Sequence, residues 1–152
     1  MLIGIHRIDK TLPLPRHETA GAVAFDLAVR ETTTIAPDEI VAVPVNIIVA
    51  TPPGYMFMIA ARSSLARKKR LVLPNSVGII DQDYCGPDDE VCVQLWNIGK
   101  LPSTVERGER IAQGIFVKIE RAEWNEVEKI DGASRGGFGS TGGYVSKLTT
   151  SN

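Results

Sequence analysis

Two aspartates that could activate a water molecule lie close together in the middle of the chain. Asp81 and Asp83 belong to the segment Gly-Ile-Ile-Asp-Gln-Asp-Tyr-Cys-Gly, residues 78–86. A carboxylate within hydrogen-bond reach of a water can accept its proton and make it nucleophilic. The segment could instead be a β-hairpin whose aspartates only satisfy the amides of a turn. Taken alone, it favours this structural interpretation.

Two further segments carry groups that suit phosphate oxygens. Arg62, Ser63 and Ser64 precede a basic run, and Arg135 lies in a glycine-rich stretch that begins at Gly132. Arginine pairs its N–H groups with phosphate oxygens, and a glycine-rich backbone can form an anion-binding nest. The serines could equally cap a helix, and the glycine-rich stretch could be a disordered tail. Each segment alone is therefore a weak indication of function.

The elements that would position these residues are predicted to be β-strands. The apolar segments are short, rich in valine and isoleucine, and separated by turn-forming residues, which is typical of an all-β domain. Strands are predicted at residues 2–6, 23–29, 40–50, 55–61, 77–80, 90–96 and 110–119. Residues 63–69 have a helix-favouring composition and predict one or two helical turns.

The strand at residues 90–96 shows the clearest alternation. Val91, Val93 and Leu95 point to one face. Cys92, Gln94 and Trp96 point to the other. Bulk on both faces predicts a strand that is covered on both sides, and Trp96 and Trp124 are predicted to be core or subunit-contact residues.

Length and composition indicate one globular domain. The chain has 152 residues, of which 43% are hydrophobic, and a formal net charge of −1. We expect a folded domain at residues 1–131 and a flexible glycine-rich arm at residues 132–152. The near-zero charge predicts no nucleic-acid or membrane partner. Cys85 and Cys92 are expected to be reduced thiols, in line with a cytoplasmic location.

The joint order of the segments changes their interpretation. Over roughly residues 20–142 the chain resembles the trimeric dUTP diphosphatase (dUTPase) family, with all five of its motifs in sequence order. They stand at residues 22–27, 61–66, 75–86, 108–113 and 135–142. The third motif, Asn-Ser-Val-Gly-Ile-Ile-Asp-Gln-Asp-Tyr-Cys-Gly, is the most specific. Ser64 stands where relatives have glycine, and two residues fewer separate Arg135 from Phe138.

The resemblance implies a role for each motif in catalysis or nucleotide binding. Asp81 would activate the attacking water, and Asp26 would help to hold hydrated Mg²⁺ through water. Ser63 would contact the bridging region of the α- and β-phosphates. Gln113 would reach the phosphates and the water shell of the metal. The implied substrate-binding set is Arg62, Ser63, Ser64, Asn75, Gly78, Tyr84, Gln113, Arg135, Phe138, Gly139 and Ser140.

Within that set the resemblance separates base, sugar and phosphate contacts. A hairpin at residues 75–84 would read the uracil edge with its backbone, and Tyr84 would lie under the deoxyribose and exclude a 2′-hydroxyl. Phe138 would stack on uracil, and Arg135 would bind the terminal phosphate. The arm that carries both would close over the bound nucleotide and exclude water.

The fold and activity implied by the resemblance are specific. We expect a distorted jelly-roll or β-barrel-like single domain that assembles as a homotrimer with shared active sites. The reaction would be Mg²⁺-assisted hydrolysis of dUTP to dUMP and pyrophosphate by attack of water on the α-phosphorus. Such an enzyme limits uracil incorporation into DNA and supplies dUMP for dTMP synthesis.

Two alternatives remain at this stage. The dCTP deaminases share the fold and an Arg-Ser-Ser-Leu segment, but they rely on a glutamate where this chain has Gln94, which cannot act as a general acid or base. The other alternative is a non-catalytic nucleotide sensor, since fold alone does not determine activity. Retention of the motif residues together favours an enzyme over the sensor.

Overall fold

A computed structural model describes residues 1–137 of the chain. The chain divides into two units, Met1–Glu120 and Arg121–Asn152. Every strand and helix of the described residues lies in the first unit. The predicted boundary between residues 131 and 132 stays a prediction. Within the described part, no helix has the length and apolar character needed to cross a membrane.

The first unit is built from strands and one short helix. The strands are β1 Gly4–Arg7, β2 Phe25–Ala28, β3 Thr33–Ile35, β4 Ile40–Pro44, β5 Ile47–Ala50, β6 Tyr55–Ala61, β7 Leu71–Val72, β8 Val77–Ile80, β9 Cys92–Asn97, β10 Ser103–Val105 and β11 Arg110–Lys118. The helix, α1, spans Leu65–Lys69. The predicted all-β class is therefore confirmed, and so is a helical turn after Ser64. The jelly-roll arrangement stays a prediction.

The strands form four antiparallel sheets. The largest has the order β2-β11-β6-β8, and a second has the order β4-β9-β7. Two pairs, β1-β5 and β10-β3, complete the arrangement. Strand β11 is central in the largest sheet because it pairs with β2 on one side and with β6 on the other. The first, second and fourth sequence motifs thus meet on adjacent strands.

An aliphatic core fills the first unit, and an aromatic stack extends it. Phe57 is fully buried, and its ring stacks on Phe25 and Phe116 with centroid distances of 5.8 and 5.1 Å. Gly114 lies against this stack because a Cβ there would stand 2.5 Å from Phe57 Cε2. Glycine is therefore the residue that lets the central strand approach the rings.

Several strand predictions need correction. The predicted strand at residues 40–50 is broken between β4 and β5, where Asn46 has a positive φ of 68°. Asparagine tolerates this conformation, and the Asn46 side chain compensates by bonding both the N–H and the carbonyl of Asp9. Strands β3, β7 and β10 were not predicted, because two or three residues are too few to show alternation.

Strand β9 confirms the alternation but not the double coverage. Val91, Val93 and Leu95 are buried, whereas Cys92 and Gln94 are exposed. One face of this strand therefore packs on the core and the other does not. The indole of the half-buried Trp96 donates to Asp38 Oδ1 over 3.0 Å. Trp124 is 93% exposed, so it is not a core residue of the single chain, and its alternative role as a subunit contact stays a prediction.

Candidate active site

A buried carboxylate with three donors forms the centre of the candidate site. Asp26 lies in β2, and its side chain is 6% exposed. Oδ1 stands 3.3 Å from Arg62 Nε and accepts a hydrogen bond from Gln113 Nε2, also over 3.3 Å. Oδ2 stands 3.0 Å from Arg110 Nη1. Because one or the other of its oxygens contacts each of these three side chains, Asp26 is suited to orient them.

Strand register explains why these residues meet. Gln113 of β11 lies opposite Asp26 of β2 on one side and opposite Ala60 of β6 on the other. Cross-strand neighbours on one face have their Cβ atoms about 5 Å apart, within reach of a glutamine side chain. Arg62 directly follows β6, and its Nη1 donates to the carbonyl of Arg110 over 3.3 Å. The sheet therefore joins the first, second and fourth motifs.

A β-bulge lets two residues of β11 reach the same carboxylate. Arg110 and Gln113 are three positions apart, and in a regular strand such residues point to opposite faces. The register between β11 and β2 shifts between Arg110 and Ala112. One extra residue at a bulge restores a common face. The irregularity is thus the local feature that completes the donors around Asp26.

Glu18 is a member of this cluster that the motifs did not indicate. Its Oε1 stands 2.9 Å from Arg110 Nη1 and 3.2 Å from Arg16 Nε. The hydrogen bond from Arg16, with a further one from Arg110, lowers the pKa of the Glu18 carboxyl below its usual range. No periodicity or motif in the sequence points to this acid, because the contact depends on how the segment before β2 folds back.

A cationic cavity lies beside the cluster, where the second motif enters α1. It has a volume of about 310 Å³ and is lined by Arg62, Ser64, Leu65, Lys68, Lys69, Gly108, Glu109 and Arg110. Lys69 Nζ is held by Glu109 Oε2 at 2.8 Å. Ser64 is the N-cap of α1 but makes no side-chain cap bond, and Ser63 is exposed. Four cationic side chains with one carboxylate suit a polyphosphate.

The third motif contains a strand, but not the predicted hairpin. Strand β8 pairs with β6, with Gly78 opposite Ile59, and residues 81–91 form turns instead of a returning strand. Gly78 fits closely, since a Cβ there would stand 3.2 Å from Ile59 Cβ. Asn75 is exposed just before the strand. The apolar partner of this strand is an earlier segment, which local sequence patterns could not identify.

Asp81 and Tyr84 stand together after β8. The Tyr84 amide donates to the Asp81 carbonyl over 3.4 Å. Asp81 is exposed, and among residues 1–137 its carboxylate has no hydrogen bond or ion pair to another side chain. The Tyr84 hydroxyl donates to the Glu90 carbonyl over 3.3 Å. Burial, followed by the charge of Asp89, raises the pKa of Tyr84.

The structure separates the predicted residues of one chain into two groups. Val77 lies opposite Ala60, close to Arg62, whereas Ile80 lies opposite Phe57, three residues farther along β6. At about 3.4 Å per residue, Asp81 is displaced from the Arg62 end of the sheet by roughly 10 Å or more. Asp26, Arg62 and Gln113 are therefore together, and Asp81 with Tyr84 forms a second group.

The remaining predicted residues lie in the second unit. Arg135 is exposed, in a stretch without strand or helix. Phe138, Gly139 and Ser140 lie outside the described residues. Over residues 1–137, no three His, Cys, Asp or Glu side chains cluster as a metal site. The described thiols, Cys85 and Cys92, are both free and exposed.

Comparison with known proteins identifies relatives over most of the chain. The family model described as dUTPase matches residues 10–142. The deoxyuridine 5′-triphosphate nucleotidohydrolase of Alcanivorax borkumensis is 40% identical over 141 residues, which cover 90% of this chain and 92% of the relative. That of Thermobifida fusca is 39% identical over 146 residues, covering 94% and 80%.

Solved structures agree with this result. The dUTPase from Streptococcus mutans superimposes with a TM-score of 0.73 at 36% identity, covering 80% of this chain and 99% of that one. A dUTPase of Staphylococcus bacteriophage 80alpha, solved with dUPNHPP, has a TM-score of 0.82 at 23% identity and covers 93% and 98%. At that identity the second likeness bears on the fold alone.

Proposed function

The chain belongs to the dUTPase family, and from this premise we propose that it hydrolyses dUTP to dUMP and pyrophosphate. A water activated by Asp81 would attack the α-phosphorus with Mg²⁺ present. The proposed roles in the cell are to limit uracil incorporation into DNA and to supply dUMP for dTMP synthesis. The proposal includes a cytoplasmic location, a compartment in which unpaired thiols stay reduced.

The observation that carries the proposal is the convergence on Asp26. Arg62 and Gln113 belong to different motifs, yet both contact one carboxylate that lies beside a cationic cavity. A triphosphate needs several positive and N–H donors held in advance, because catalysis of phosphoryl transfer is mostly positioning and charge stabilisation. We assign the phosphates to Arg62, Ser63, Ser64 and Gln113.

The exposed aspartate after β8 is assigned the acid–base role. The Asp81 carboxylate has no contact with another described side chain, whereas Asp26 Oδ1 accepts a hydrogen bond from Gln113 and both Asp26 oxygens are ion-paired with arginines. A general base must be able to take the proton of the attacking water. Of these two carboxylates, Asp81 is therefore the better candidate. Asn75, Gly78 and Tyr84 belong to the same segment and are assigned to the nucleoside.

The donor set fits Mg²⁺ that arrives with the nucleotide. Mg²⁺ prefers oxygen ligands, keeps several waters and is commonly carried by substrate phosphates. Asp26 is engaged by Arg62, Arg110 and Gln113, so its contact with the ion would run through water. When bound, Mg²⁺ neutralises phosphate charge. The chain's own residues would orient that hydrated complex toward Asp81.

The separation of the two residue groups supports a site completed by another subunit. Within one chain, Asp81 and Tyr84 follow β8 at the end that is farther from Arg62. A homotrimer would bring the nucleoside-binding group of one subunit to the phosphate-binding group of another. Sedimentation should therefore give three times the mass of the chain, and an active monomer would contradict shared sites.

The C-terminal motif is assigned to closure. Arg135 would bind the terminal phosphate, Phe138 would stack on uracil, and Gly139 and Ser140 would give backbone and hydroxyl contacts. Exclusion of water by such a segment strengthens electrostatic contacts with the phosphates. The jelly-roll description and the domain boundary at residue 131 belong to this proposal as well.

One experiment separates the proposed reaction from both alternatives. Purified protein is incubated with dUTP, dCTP or UTP, with and without Mg²⁺, and dUMP, pyrophosphate and ammonia are measured. Metal-dependent formation of dUMP and pyrophosphate from dUTP alone is the expected result. Ammonia from dCTP would indicate a deaminase, which Gln94 disfavours because an amide does not titrate. Tight dUTP binding without turnover would indicate a sensor.

A further inference from the structure

A part-buried ion pair lies behind the tyrosine assigned to the sugar. The Tyr84 hydroxyl donates to the carbonyl oxygen of Glu90 over 3.3 Å. The Glu90 side chain is only 15% exposed and points to Arg30. Arg30 Nε donates to Glu90 Oε1 over 2.8 Å and to Oε2 over 3.1 Å. The acceptor of the tyrosine hydroxyl therefore belongs to a residue held by its own side chain.

A third contact joins Glu90 to the break between β4 and β5. The backbone N–H of Asn46 donates to Glu90 Oε1 over 2.8 Å. Asn46 has a positive φ, and its own side chain is bonded to Asp9 on both its amide atoms. Glu90 thus receives two donors from segments far from it in sequence, and both of those segments are themselves anchored.

The backbone around Glu90 and Arg30 is also fixed. Val91, the next residue, donates to the Ile47 carbonyl over 2.9 Å and accepts from the Val45 amide over 3.0 Å. The Arg30 amide donates to the Pro44 carbonyl over 2.9 Å. The position of the Glu90 carbonyl is consequently set by the end of β2 and the β4–β5 connection, not by the turns that carry Tyr84.

We propose that Arg30 and Glu90 are positioning residues for Tyr84, and that through it they set discrimination between deoxyribonucleotide and ribonucleotide. This inference rests on the proposed function, in which the Tyr84 ring excludes a 2′-hydroxyl. Tyr84 is 40% exposed and lies in a segment of turns, so the position of its ring depends on the hydrogen bond that its hydroxyl makes. Loss of the anchor lets the ring withdraw and gives a 2′-hydroxyl room.

The main test is the ratio of kcat/KM for dUTP to kcat/KM for UTP in the Arg30→Gln variant. Glutamine leaves the Glu90 carboxylate with only the Asn46 N–H among these partners, so the residue that carries the acceptor carbonyl loses one of its anchors. The ratio should fall about threefold to tenfold, the effect of losing one hydrogen bond. Activity on dUTP should change much less, because Arg30 does not touch the nucleotide.

Arg107→Gln is the matched control. Arg107 Nη2 binds Asp9 Oδ2 at 2.6 Å, so its loss also removes an ion pair close to Asn46, but one without contact to Glu90. The ratio should be unchanged in this variant. An equal fall in both variants would mean a general loosening and would overturn the proposal, as would an unchanged ratio in Arg30→Gln.

A double-mutant cycle with Tyr84→Phe tests whether the two residues act through one contact. If Arg30 acts through the tyrosine hydroxyl, Arg30→Gln should have little further effect on the ratio in the Tyr84→Phe background. Fully additive effects would overturn the proposal. Should Arg30→Gln fail to fold because Glu90 is left charged, the neutral pair Arg30→Gln with Glu90→Gln provides the same comparison.

A spectroscopic measurement keeps this inference separate from the proposed reaction. The ¹³Cζ resonance of Tyr84, assigned by its absence in Tyr84→Phe, reports the environment of the hydroxyl without any substrate. It should shift in Arg30→Gln and stay in place in Arg107→Gln. If the protein showed these shifts but did not hydrolyse dUTP, the contact would stand and only the proposed function would be refuted. Absence of a shift in Arg30→Gln would refute the contact.

Discussion

Gln113 lies directly opposite Asp26 in the β2–β11 pair, and its Nε2 donates to Asp26 Oδ1 over 3.3 Å. The same carboxylate is 3.0 Å from the guanidinium of Arg110. The Asp26 carboxylate therefore joins the first and fourth motifs, which are more than eighty residues apart in the sequence. Substitutions at this anion test both the stability of the sheet and the positioning of the phosphate groups.

Asp26→Asn should destabilise the protein and impair turnover. An amide nitrogen in place of one oxygen would face the guanidinium of Arg110 or Arg62, and the buried charge that pairs with both arginines would be lost. We expect a loss of about 1–3 kcal/mol in the free energy of unfolding, measured by urea denaturation. Arg16→Gln, at a side chain that is 78% exposed, should have little effect on stability. Equal stability of Asp26→Asn and wild type would show that the carboxylate charge is unimportant.

Asp81→Asn should reduce kcat for dUTP by about 10²–10⁴, the usual contribution of a general base. Nucleotide binding, measured by calorimetry, should persist because the amide keeps the size and polarity of the side chain. Asp88→Asn removes the same charge from another exposed position in the segment after β8 and should leave kcat nearly unchanged. Similar losses in the two variants would point to net charge instead of proton transfer.

Gly114→Ala should destabilise the largest sheet. The new Cβ would stand 2.5 Å from Phe57 Cε2 and 2.8 Å from Phe25 Cε2, inside the aromatic stack. Overpacking of this kind costs about 1–3 kcal/mol. Gly21→Ala is the control, since a Cβ at Gly21 meets nothing within 4 Å. Urea midpoints that agree for the two variants would show that the rings move aside freely.

Asp9 should make stability depend on pH in the acid range. Hydrogen bonds from the Thr11 side chain and from Arg107 lower its pKa far below the ordinary value. A carboxyl with a depressed folded-state pKa stabilises the protein above its unfolded-state pKa of about 4, and this contribution is lost as the pH falls toward the folded-state value. Asp9→Asn should therefore cost stability at pH 7 and progressively less below pH 4 or so. Urea midpoints of the variant and wild type at pH 7 and below pH 4 or so measure this loss of stability. An equal loss at each pH would contradict a contribution from the Asp9 carboxylate charge.

Removal of residues 132–152 should separate folding from activity. Over residues 1–137, all strands and the helix lie before residue 121, so the free energy of unfolding should change by no more than about 0.5 kcal/mol. Turnover of dUTP should fall on the order of 10²-fold, because the groups assigned to closing the site are lost. Full activity in the shortened chain would remove Arg135 and Phe138 from the mechanism.

Residue types and local sequence patterns were enough to predict the fold class and the motif residues of this protein. Short valine- and isoleucine-rich segments predicted an all-β domain, and the strands at Tyr55–Ala61 and Val77–Ile80 have the predicted bounds. These predictions succeed because alternation and turn residues are local properties of the chain. The motif residues were likewise visible in the sequence, since their types are what phosphate and proton chemistry requires.

Strand pairing was decided only by the tertiary structure. β8 pairs with the earlier strand β6 and not with the segment that follows it, and the bulge in β11 brings Arg110 to Asp26. Glu18 joins that site, and Arg30 binds Glu90 sixty residues away, without any motif at either position. Such contacts depend on which apolar faces pack together across the whole unit. A local sequence pattern shows which face of a strand is apolar, but not which other element covers that face.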